Sequence, residues 1–184
     1  MFVFMATPQL TGDQVNQLSL LVADYINNQR ASFNPNSQPL SAAQRIAMAG
    51  FFSTELLDTA RLVMLNNGRV TNPPFYPNLL AMGFGNLPDF SLMAAITFCD
   101  VVVSHEAFTD RLLFHELVHV EQYRQLGVPE FSSLYVRGYL SGGGYEGIPL
   151  EVNAYTLDAR FHNAPAAQFH VANEVRSWIT EGRF

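Results

Sequence analysis

His115, Glu116 and His119 form a His-Glu-x-x-His pattern inside the apolar run from Leu112 to Val120. On a helix, residues i and i+4 share one face about a turn apart, so His115 and His119 can offer two imidazoles to one ion. Zn²⁺ suits such a pair, at Zn–N distances of about 2.0–2.1 Å. Glu116 projects to the side of that face, where it can take a proton from a zinc-bound water without ligating the metal. The chemistry predicted is hydrolysis, of peptide bonds above all. The pattern arises by chance in a chain of this length at a rate of roughly one in a hundred or less. A core helix can carry histidines that only satisfy hydrogen bonds. Three ionisable groups among Leu, Phe and Val are nonetheless costly unless paired or metal-bound.

A hydrolytic zinc centre keeps three protein ligands and an open position for water. The downstream candidates are Glu121, Glu130, Glu146, Glu151, Asp158, His162, His170 and Glu174. Glu121 falls on the far side of the motif helix and is excluded. Glu130 and Glu146 fall in turn-like segments. Glu151 falls in the first turn of a helix that Pro149 opens, where the helix N-terminus favours a carboxylate; an ordinary first-turn glutamate would look the same. Glu151, Tyr155, Asp158 and His162 share one stripe of that helix. His162 stands about 16 Å along the axis from Glu151, too far for the same ion, and reads as a surface or capping residue. Asp158 is about 10 Å along. It can accept the distal N–H of His115 or His119, as metal-bound imidazoles require, or simply pair with an arginine. A developing oxyanion also needs a donor. Tyr155, Tyr145 and Tyr139 are the candidates, with plain burial the competing explanation, most of all for Tyr139. His105 and His170 have no motif around them, and Cys99 reads as a buried, inert strand residue.

The pair His115-Glu116-Leu117-Val118-His119 and Glu151-Val152-Asn153-Ala154 resembles the gluzincin branch of the zincin metallopeptidases. That branch takes its third ligand from a later Glu-x-x-Ala-Asp helix. Glu151 and Ala154 match; Tyr155 stands where the pattern has Asp. The segment from Leu113 to Ala159 also resembles small bacterial metallopeptidase-like proteins. The likeness spans roughly residues 95–162. It implies zinc on His115, His119 and Glu151, and a substrate peptide added as a strand along the cleft edge, here Ile96 to Val103. The metzincin branch needs a glycine and a third histidine soon after the second. Val120-Glu121-Gln122-Tyr123-Arg124-Gln125 supplies neither.

The elements that must position these residues follow from pattern. Thr11-Gly12-Asp13-Gln14 and Ser41-Ala42-Ala43-Gln44 are capping boxes. The first opens an amphipathic helix over Val15–Arg30, the second a helix to Ala49. Residues 32–39 read as a loop, Ser53–Thr59 as a helical turn or two, and Arg61–Leu65 as a strand stopped by Asn66-Asn67-Gly68. Residues 72–90 read as a long irregular segment with Phe75, Tyr76, Leu79, Leu80 and Phe84 packed on the core. Ala95–Val103 reads as one strand. The motif helix ends at Gly127, with Pro129 beginning another to Leu140. Ser141–Gly147 is a glycine-rich break that suits a lid. Helices over Pro149–His162 and Pro165–Thr180 close the chain. The expected fold is α+β and mainly helical, a zincin-like domain with a small sheet beside the motif helix.

The chain has 184 residues, 48% hydrophobic and 14% charged, with a net charge of −6. That fits one globular domain over 1–184 and gives no basic patch for nucleic acid. All ten basic residues are arginine, for which we have no physical account. Cys99 is the single cysteine, so no internal disulfide forms, which leans slightly toward the cytoplasm. The start, Met1-Phe2-Val3-Phe4-Met5, is too short for a signal segment, and no apolar run spans a membrane. The expectation is a zinc metallopeptidase acting on a peptide or protein. The alternative is a catalytically idle zincin-like module that binds one, against which Glu116 argues. A structural zinc site commonly uses several cysteines.

Overall fold

The computed structural model describes residues 8–184; the apolar start Met1–Met5 lies outside the described residues. Thr11 caps α1 (Gly12–Phe33), and both bonds of its box with Gln14 are made. Ser41 and Gln44 repeat the device at α2 (Ala42–Met48), and Ser53 caps α3 (Thr54–Thr59). These side chains satisfy the N–H groups that a helix start leaves unpaired.

A mixed sheet of four short strands lies beside the motif helix. Its strands are β1 (Gln38–Pro39), β2 (Arg61–Met64), β3 (Ala95–Phe98) and β4 (Val101–Ser104), in the order β1-β2-β4-β3. β2 and β4 run parallel, and β3 pairs antiparallel with β4. The single strand expected over Ala95–Val103 is therefore a hairpin. The chain reverses at Cys99-Asp100, with Cys99 at φ 60°. Cys99 is a half-buried turn residue, not a strand residue. Arg30 at the end of α1 holds Asp100 through two hydrogen bonds of 2.5 and 2.9 Å. That tertiary clamp secures a turn that lacks the usual Asn or Gly.

The sheet's two faces bury different partners, because alternate residues point to opposite sides. Leu62, Ala95 and Val102 pack with Leu113, Leu117 and Val118 of the motif helix. Val63, Phe98, Val101 and Val103 pack with Tyr25 and Ile26 of α1.

The motif helix α5 (Asp110–Gly138) is broken at Gly127, whose φ of 73° and ψ of 163° no helix contains. The expected stop and restart are both present there, and Pro129 sits just inside the second segment. A π-turn over Tyr139–Gly143 and a 3₁₀ turn over Tyr145–Gly147 lead into α6 (Pro149–Asn163). α6 packs closely on α5: a Cβ placed on Gly138 would lie 2.7 Å from Pro149 Cδ.

Other boundaries also differ from the sequence reading: α1 runs on to Phe33, and β1 forms at Gln38–Pro39 within the stretch 32–39 expected as a loop. The last helix, α7 (Val171–Thr180), does not begin at Pro165. Phe169 is buried edge-on against Phe51 with Arg160 over its ring, and Val171 N donates to Phe51 O. Those contacts hold 165–170 in a turn. Within 72–90 a short helix forms, α4 (Tyr76–Ala81). Phe84 is buried as expected, whereas Leu80 is 55% exposed and Phe75, Tyr76 and Leu79 are half-buried. Among the described residues no helix is long and apolar enough to cross a membrane.

Candidate metal centre and cleft

α5 brings His115 and His119 to one buried face, as the i, i+4 spacing requires. α6 packs across that face and presents Glu151 from its first turn. The three reactive atoms converge. His115 Nε2 and His119 Nε2 are 3.2 Å apart. Glu151 Oε2 lies 3.5 Å from the first and 3.4 Å from the second. Two ligands each about 2.05 Å from a tetrahedral ion stand about 3.3 Å apart. The triangle therefore has the size of one face of a zinc coordination tetrahedron. Glu151 Oε2 is buried and has no hydrogen-bond partner among the described residues. A buried carboxylate oxygen facing two imidazole nitrogens is costly unless a proton on a ring or a metal ion joins them. These three residues can hold a metal ion.

Both imidazoles are oriented from behind. His115 Nδ1 lies 2.9 Å from Asp158 Oδ2. Arg111 binds the other Asp158 oxygen through Nε at 3.0 Å and Nη2 at 2.8 Å. One Asp158 oxygen thus meets the imidazole of His115 and the other meets Arg111. Tyr155, at the place where the resembled pattern has Asp, is not the partner of His115 Nδ1; the carboxylate comes from three residues further on. Tyr155 instead lays its ring on His115, centroids 4.6 Å apart. His119 Nδ1 is held by Gln122 Oε1 at 2.9 Å.

Burial pulls His115 down, yet Asp158 and Glu151 outweigh it and carry its pKa up to about 10. His119 is raised too, against its burial, by the charge of Glu151. Burial opposes the ionised form of Glu151, but His119 and His115 hold its carboxyl well below the usual range.

Glu116 reaches β3, where Thr97 Oγ1 donates to its Oε2 at 2.7 Å, and it lines the same cavity as His119 and Glu151. β3 is an edge strand. His105 N donates to Ala94 O, and in this antiparallel register that makes Ile96 and Phe98 the residues hydrogen-bonded to β4, so the backbone groups of Ala95 and Thr97 face the open side. A cleft with a cavity of about 80 Å³ is lined by β3, by Glu116, His119 and Glu151, and by the aromatic residues Tyr25, Phe90, Phe131 and Tyr135. A second hollow, on the His115 and Asp158 side, is lined by Arg111 and Tyr155. Tyr145 lines both.

The two tyrosines expected as donors differ in setting. Tyr155 is 44% exposed, and burial, then the Glu151 charge, pushes its hydroxyl up to about 12. Tyr145 is raised much further by burial and by Glu151. Tyr139 lines neither hollow. His105 is structural: its Nε2 accepts from Val70 N and its Nδ1 lies 2.6 Å from Met93 O. His162 and His170 are exposed and Glu121 pairs with Gln125, so none joins the centre.

Sequence reasoning missed Thr97 and Gln122. Gln122 stands at i+3 from His119 on α5, so a stripe traced on that helix exposes it, just as the stripe on α6 exposes Asp158. Nothing in the sequence places Thr97, nineteen residues away, beside Glu116. No family model matches the chain, no curated protein matches it, and no solved structure does.

Proposed function

We propose that the chain is a zinc-dependent metallopeptidase of gluzincin type, with His115, His119 and Glu151 as ligands and Glu116 as general base. The observation that carries this reading is the triangle of 3.2, 3.4 and 3.5 Å between two imidazole nitrogens and an orphaned carboxylate oxygen. A zinc ion held there supplies Lewis acidity to a water and a carbonyl in the cleft. The protein's own groups do the rest. Glu116, fixed by Thr97, takes a proton from the attacking water and delivers it to the leaving amine nitrogen. Tyr155 or Tyr145 donates its O–H to the carbonyl oxygen as that atom gains charge.

The edge position of β3 supports a peptide substrate. Its free backbone groups suit an antiparallel peptide strand laid past Glu116. The aromatic wall of the cleft suits an uncharged side chain next to the scissile bond. A wholly structural zinc site accounts for neither the base beside the triangle nor the open cleft in front of it.

The test is hydrolysis of a mixed peptide library by the zinc-loaded protein and by Glu116→Gln. The variant should keep one zinc per chain and lose about 10²–10⁴-fold in rate. Equal hydrolysis by the two proteins contradicts the role of Glu116. Zinc and peptide binding with no hydrolysis by either protein leaves the idle binding module.

A further inference from the structure

We infer that Gln122 is the positioning residue that fixes which nitrogen of His119 meets the metal; the inference rests on the metal reading above. Gln122 is wholly buried. Its Nε2 lies 3.0 Å from Leu150 O and 2.9 Å from Asn153 Oδ1. A backbone carbonyl only accepts hydrogen bonds, so the Leu150 contact decides which end of the amide is nitrogen. The Oε1 end therefore faces His119 Nδ1 at 2.9 Å and accepts from it. In the neutral ring, the form that can ligate a metal, Nδ1 then carries the proton, and the lone pair is left on Nε2, the atom aimed at His115 and Glu151.

Gln122 links two elements in one step. Its oxygen orients a ligand on α5, and its nitrogen grips the first turn of α6 at Leu150, next to Glu151. The second and third ligands are set by the same amide. Asp158 orients His115 from α6 back to α5, so the two imidazoles are braced by different chemistry: an anion behind the first, a neutral amide behind the second. The neutral choice keeps a fourth carboxylate out of a buried cluster that already contains Glu116, Glu151 and Asp158. Orienting partners of this kind are typically worth about 10–100-fold in metal affinity.

Gln122→Leu and Gln122→Glu separate the roles. Both lose the donor to Leu150 O, and only Gln122→Glu keeps an acceptor for His119. Zinc dissociation constants are measured by chelator competition, with the unfolding midpoint of each metal-free variant recorded alongside. Gln122→Leu should bind zinc about 10–100-fold more weakly, while Gln122→Glu should stay within a few-fold of the unsubstituted protein. Equal affinity for Gln122→Leu, or equal weakening of both variants, overturns the inference and leaves Gln122 a brace for α6. Should either variant fail to fold, nitrogen NMR of the zinc-loaded unsubstituted protein decides. His119 is expected to show a protonated, slowly exchanging Nδ1, and ligation through Nδ1 overturns the inference. An unsubstituted protein that binds no zinc at the triad fails the metal reading itself, a result distinct from all of these.

Discussion

Thr97 Oγ1 and Glu116 Oε2 are 2.7 Å apart, and this contact joins the edge strand of the sheet to the residue proposed as base. Thr97 is buried, so replacing it with valine keeps the shape and removes the donor. Thr97→Val should lower kcat about tenfold with zinc content unchanged. Leaving the Glu116 oxygen without its partner should also cost about 1–3 kcal/mol of stability. Steady-state kinetics, metal analysis and thermal unfolding check this; an unchanged kcat would show that Glu116 needs no support from β3.

Much of the site was legible because helices convert spacing into geometry. His115, His119 and Glu116 follow from one helical turn. Glu151 follows from Pro149 opening a helix, and Asp158 from its stripe on that helix. Contacts between elements were not legible. The Cys99-Asp100 reversal hides in a β-branched run that has no Gly, Pro or Asn, because Arg30, seventy residues away, holds the turn. The start of α7 at Val171 depends on where Phe169 packs, which local propensity does not encode.

Asp158 serves His115 and Arg111 at once. Asp158→Ala should weaken zinc binding about 10–100-fold. Arg111→Ala should weaken it less, since the aspartate remains on His115 Nδ1. Chelator competition on both variants checks the order; a larger effect from Arg111→Ala would show that the ion pair, not the imidazole contact, holds the centre.

Gly138 sets the distance between the two ligand-bearing helices. Gly138→Ala places a methyl 2.7 Å from Pro149 Cδ. The start of α6 must shift, moving Glu151 with it. Overpacking of this kind costs about 1–3 kcal/mol, and zinc affinity should fall beyond what the loss of stability explains. Unfolding and zinc titration on the variant test this; a destabilised variant with full affinity would show that α6 moves without disturbing Glu151.

Zinc must displace protons from the triad. His115 is raised from 6.5 to about 10 in the metal-free protein. Its pairing with Asp158 and Glu151 therefore stabilises the metal-free fold fully below about pH 6.5 and fades as pH climbs toward 10. Zinc opposes that proton, so its apparent affinity should keep rising from pH 6 to near pH 10. Calorimetric titration in buffers of different ionisation enthalpy should show protons released at pH 7. An affinity that levels off just above pH 7, as for an ordinary histidine pair, would contradict the charge arrangement.

The central claim is that two helices of this chain build one zinc site from His115, His119 and Glu151. Anomalous diffraction at the zinc edge, from crystals of the zinc-loaded protein, tests it most directly. The account predicts one strong peak per chain, about 2.0–2.2 Å from His115 Nε2, His119 Nε2 and Glu151 Oε2. A folded protein with no peak at that triangle, or with its zinc bound elsewhere, would contradict it.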